Sequence, residues 1–211
     1  MRPMPADLQI PAEDEDIVWR IRRIQVFTIV WMSIEAALSL VAAWMARSPS
    51  LLAFGGDGAI ELISAIVVWR RFRARSELRQ AESRAARIAG ALLFALAAYV
   101  IVESALTLFG HQKPSESYLG IAVLIAAAVF MPLLAKEKRQ LAAVAGSASL
   151  RADAAESALC GYLSLIALAG LAVNAVWHVT WADPVAAIFL VPFILREAWE
   201  AVRGDADACC R

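Results

Sequence analysis

Asp57 and Glu61 stand four residues apart inside an apolar stretch, SPSLLAFGGDGAIELISAIVVW (48–69). Glu156 and Cys160 repeat that spacing about a hundred residues later, in LRADAAESALCGYL (150–163). On a helix, residues four apart share a face one turn from each other. An acid in hydrocarbon costs roughly 2.5–3.5 kcal/mol even on insertion scales, so it needs a partner, a proton or an ion. Two facing pairs supply three carboxylates and one thiolate, a donor set suited to tetrahedral zinc, with cadmium, manganese and ferrous iron as looser fits. Gly55, Gly56 and Gly58 flank Asp57 and let a neighbouring helix or a hydrated ion come close.

The elements that must position these residues are membrane spans. The chain of 211 residues is 61% hydrophobic and 19% charged, more apolar and less charged than a soluble domain of its size. Its apolar runs predict six helices, over Ile24–Met45, Ser50–Trp69, Ile88–Phe109, Tyr118–Ala135, Ala154–Trp177 and Asp183–Trp199. Most reach the ~20 residues that a crossing needs. The sixth ends in Arg196, Glu197 and Glu200, and Arg196 can snorkel to the headgroups. The expected fold is all-α: a polytopic bundle at 24–202, between a loosely ordered N-terminal tail (1–23) and a short C-terminal one (203–211). All of the twenty basic residues except Arg47 and Lys113 fall on one side, in its tails and loops or, for Arg196, at the adjoining end of the sixth span. By the positive-inside rule both termini are then cytoplasmic, in an integral protein of a bacterial inner membrane. Topology explains the arginines between spans two and three, so nucleic-acid binding is not expected. The acidic residues 13–16 and the long apolar run after them do not make a signal peptide.

Other polar residues carry weaker signals. Glu35 and Glu103 are further acids within spans, suited to a proton path, a polar contact or a second ion site. Asp153, three residues before Glu156, is either a ligand or an interfacial residue beside Arg151. Lys136, Lys138 and Arg139 read as part of the basic loop between spans four and five. His111 and His178 lie at loop edges and are not spaced as a ligand pair. Asn174 suits a hydrogen bond across a helix contact, and Trp177 and Trp181 suit interfacial anchoring. Cys209 and Cys210 lie at the cytoplasmic end, where a structural disulfide is not expected. No Ser-His-Asp set or HExxH pair is present, and an enzyme is not expected.

The two pairs, in spans two and five of a six-span chain, resemble the cation diffusion facilitator family of divalent-metal exporters. Asp57-x-x-x-Glu61 stands where that family has an Asp or His followed four residues later by Asp, and the fifth-span pair falls at Glu156 and Cys160, where the family has histidine and aspartate. The sixth span, WADPVAAIFLVPFILREAWEA (181–201), is also similar. The resemblance implies proton-coupled antiport of a divalent cation, most of all zinc, through a site of Asp57, Glu61, Glu156 and Cys160. Metal ion, protons and lipid bilayer are the implied partners. Family members carry a cytoplasmic domain after the sixth span, and twelve residues follow Trp199 here. That places the chain in a compact branch similar to the transmembrane protein 163 type, in which a homodimer would form through the membrane helices. A zinc-binding sensor or accessory protein that does not transport shares every ligand and stays open as the alternative.

Overall fold

The computed structural model describes residues 12–73, 79–110, 114–144 and 148–203. The side chains of residues 12–16, 18, 61, 63–73, 79–86, 148, 149 and 152 lie outside that description. Six helices follow one another: α1 Ala12–Ala46, α2 Pro49–Arg73, α3 Arg79–Leu108, α4 Tyr118–Val144, α5 Ala148–Trp177 and α6 Ala182–Arg203. Among the described residues there is no strand. The fold is an all-α membrane bundle.

Four helices are apolar and long enough to cross a bilayer: α1, α3, α4 and α5. The other two, α2 and α6, have 25 and 22 residues. At 1.5 Å per residue both exceed the ~30 Å hydrocarbon core. Asp57 of α2 and Asp183 of α6 are turned into the bundle. The helices outrun the expected spans: α1 begins at Ala12, and α4 continues to Val144, beyond the expected end at Ala135. Lys136, Lys138 and Arg139 are therefore helical, which corrects the expectation that they form a loop.

The most extensive pairings are α4 with α5, α3 with α6 and α1 with α2, while α2 also packs on α3, α5 and α6. Small residues set some of these approaches. A Cβ at Gly55 would fall 2.8 Å from the Ser39 Cβ, so α1 and α2 touch where only a hydrogen fits. A Cβ at Gly90 would fall 2.8 Å from the Ala198 carbonyl oxygen, bringing α3 equally close to α6. The core between them contains Leu51, Phe54, Leu93, Val100, Leu124, Met131, Leu190 and Ile194. Trp44, Phe109, Tyr118, Trp177 and Trp181 are exposed around one end of the bundle, as interfacial aromatics are.

That end is also tied by polar contacts. Ser48 precedes Pro49, the first helical residue of α2, and its Oγ accepts from the Leu51 amide at 3.2 Å, an N-cap followed by proline. Asp183, at the start of α6, accepts hydrogen bonds from the hydroxyls of Ser48 (2.9 Å) and Ser50. The two helix starts are thereby bound to each other. The Ser115 amide donates to Ala46 O at 2.9 Å, joining the α3–α4 connection to the end of α1.

Candidate metal centre

Asp57 lies in the interior of α2 and is 4% exposed. The turn that carries it packs closely on both sides: Gly55 meets α1 at Ser39, and a Cβ at Gly56 would overlap Leu96 of α3. Its carboxyl group stands within hydrogen-bonding reach of the Glu197 carboxyl on α6. One oxygen of each, Asp57 Oδ1 and Glu197 Oε2, is buried and meets no N–H or hydroxyl donor among the described residues. Two carboxylates so close repel unless a proton or a cation sits between them.

The Cys160 thiol of α5 donates to Glu35 Oε1 of α1 at 3.7 Å, a long contact suited to sulfur. Both residues are buried, and the Glu35 carboxyl also lies beside the Trp31 side chain. Glu156 precedes Cys160 by one turn but is exposed, and stands among the charges of Asp153, Glu197, Lys138 and Glu200. Of the four residues marked by the sequence, Asp57 and Cys160 are thus buried in separate acid-containing contacts and Glu156 stands nearer the charged end of α5. Glu61 is on α2, one turn beyond Asp57, with its side chain outside the described residues. Among the described residues no three His, Cys, Asp or Glu side chains converge on one metal position. His111, Lys113, Cys209 and Cys210 also lie outside the described residues.

Asp153 has a different task from the ligand role considered above. Its Oδ1 accepts from Lys138 Nζ at 2.9 Å and its Oδ2 from Gln25 Nε2 at 2.6 Å. Lys138 is fully buried and also donates to Ser157 Oγ at 2.9 Å. This network joins α1, α4 and α5 within one helical turn of Glu156. Glu103 lies beside Tyr99, within hydrogen-bonding reach, and the Thr107 hydroxyl donates to the Glu103 backbone carbonyl at 2.8 Å. His178 is left-handed (φ 54°) just after α5, and its Nδ1 meets Glu116 Oε1 at 3.0 Å. The pair borders an open cavity of about 520 Å³ that Asn174 also lines.

The residues missed in the sequence are Glu197 and Lys138. A signal for Glu197 exists: Leu190, Ile194 and Glu197 fall at i, i+4 and i+7, the spacing of one buried face.

Fold and site together define a helical membrane protein with carboxylates held inside the bundle, the equipment of a cation transporter. The chain belongs to the cation efflux family: the family's transmembrane domain matches residues 26–207. It is also similar to the manganese efflux system protein MneS of Bacillus subtilis (strain 168), with 22% identity over 182 residues. That match takes in 82% of this chain and 62% of the relative, so the chain spans less than two thirds of the relative's length.

Proposed function

We propose that this protein exports a divalent transition-metal cation, zinc first, from the cytoplasm in exchange for protons. The cation is bound between α2 and α5 by Asp57, Glu61, Glu156 and Cys160. The observation that carries this is Asp57: a carboxyl group more than nine-tenths buried in a cation efflux bundle, with an oxygen that no protein donor satisfies. Burying such a group unsatisfied costs on the order of several kcal/mol, and a bound cation removes that cost. Metal ligands must be deprotonated, so arrival of the cation releases protons from the carboxyl groups and the thiol. Rocking of the helices then opens the site outward, where protons reload the ligands and the metal leaves. The charge distribution supports a topology with both termini cytoplasmic, and any homodimer forms through the membrane helices.

Manganese is the second reading. The similar Bacillus protein is named for manganese efflux. Carboxylate-rich sites suit manganese, and only Cys160 among the four argues for a softer metal.

The cellular test is expression in bacteria sensitised to zinc and to manganese, with metal content measured by mass spectrometry. Export lowers the content of one metal and restores growth in its excess, and Asp57→Ala loses both effects. Unchanged content of both metals in cells that insert the protein in the membrane contradicts the proposal and favours a protein that holds metal without moving it.

A further inference from the structure

We propose that Glu197 of α6 is a cation ligand, completing with Asp57 an oxygen-only half of the metal site and biasing it toward manganese-like ions. The inference rests on Asp57 being a ligand, as proposed above, and adds a third helix to a site assigned to α2 and α5.

Three observations converge on Glu197. Its carboxyl group reaches that of Asp57, the most deeply buried of the acids marked by the sequence whose side chains are described. It also faces the charge of Glu156 on α5. It therefore stands in the electrostatic range of Asp57 on α2 and of Glu156 on α5. Finally, Asp57 Oδ1 and Glu197 Oε2 are each buried and meet no N–H or hydroxyl donor among the described residues. Leaving a buried oxygen unsatisfied costs roughly 1–3 kcal/mol, so the two carboxyl groups need a shared proton when the site is empty and a cation when it is filled. A divalent cation answers both oxygens at once.

Position supports the same conclusion. Leu190, Ile194 and Ala198 around Glu197 are buried, and Gly90 lets α3 close on Ala198, so this turn of α6 is held against the bundle. Arg196 lies in charge range of Glu197 but makes its ion pair with Glu200, Nε to Oε1 at 2.9 Å, on the exposed face. The Glu35–Cys160 contact supplies a thiol from α5. The site then has a harder side, Asp57 and Glu197, and a softer side that includes Cys160. Carboxylates favour manganese and thiolates favour zinc, so removing one carboxylate shifts the balance between the two.

The test is calorimetric binding of Mn²⁺ and Zn²⁺ to the purified full-length protein in nanodiscs, with Glu197→Gln, Asp57→Asn and wild type side by side. Glu197→Gln keeps the shape and removes the charge, and metal-free thermal unfolding reports whether each variant is folded. Expected is a loss of Mn²⁺ affinity by roughly tenfold or more in Glu197→Gln, as losses around metal sites run, with a smaller loss for Zn²⁺. If Glu197→Gln does not fold, Glu197→Asp, which shortens the ligand but keeps its charge, must also shift the Mn²⁺ to Zn²⁺ ratio. Wild-type binding of both metals in the folded Glu197 variant, beside weakened binding in Asp57→Asn, overturns the role of Glu197 alone. Wild-type binding in Asp57→Asn overturns the Asp57 site itself.

Discussion

Lys138 Nζ lies 2.9 Å from Asp153 Oδ1 with the lysine side chain fully buried, so α4 and α5 are joined by an ion pair one turn from Glu156. Gln25 and Ser157 satisfy further donor and acceptor positions, which such a pair requires if it is not to be a net cost. Contrast the Arg196–Glu200 pair at the same distance, which is exposed at both ends and screened by solvent.

Removing one partner of the buried pair strands the other charge. Asp153→Ala is expected to lower stability by about 3–5 kcal/mol, read as a fall in thermal unfolding temperature of the solubilised protein. Lys138→Met combined with Asp153→Leu should recover most of that loss. A single variant as stable as wild type would show that the pair contributes nothing.

Cys160 sets the soft side of the proposed site. Cys160→Ser keeps the size and replaces sulfur by oxygen, so Zn²⁺ affinity should fall by roughly tenfold while Mn²⁺ affinity holds or rises. Competition binding with a zinc chelator measures the first, and equilibrium dialysis the second. An unchanged zinc affinity would show that the thiol only packs against Glu35.

Gly55 offers a test of packing against propensity. Alanine is about 1 kcal/mol better than glycine in a helix interior. Here its Cβ would meet Ser39 Cβ at 2.8 Å and the Leu40 amide nitrogen at 3.1 Å. Overpacking costs about 1–3 kcal/mol, and backbone cannot yield as a flexible side chain does. Gly55→Ala is therefore expected to destabilise. Gly58→Ala, where a Cβ meets nothing within 4 Å, is expected to stabilise or be neutral. The pair of unfolding temperatures decides the point.

The helices were legible because hydrocarbon length forces long apolar runs, and the i,i+4 spacing of Asp57 with Glu61 correctly implied a helical face. Lys138 was not legible. It sits in AKEKRQ (135–140), which has the composition of a cytoplasmic loop, and its burial depends on α4 continuing past Ala135 to meet Asp153. Glu197 was hidden similarly by its charged neighbours Arg196 and Glu200 at a helix end. Spacing alone also could not tell that Glu156 and Cys160, on one helix face, would have such different exposure. That depends on how the neighbouring helices pack, a tertiary property. The acid partners of Asp57 and Cys160 lie on α6 and α1, far away in sequence, and only packing brings them together.

The most direct measurement is metal flux into sealed proteoliposomes holding an indicator that reports zinc and manganese, with and without an imposed proton gradient, for wild type and Asp57→Ala. The account predicts metal movement that follows the gradient in wild type and is lost in Asp57→Ala, while the variant remains folded and inserted. Flux of equal size in Asp57→Ala, or no flux of either metal in correctly inserted wild type, would contradict it.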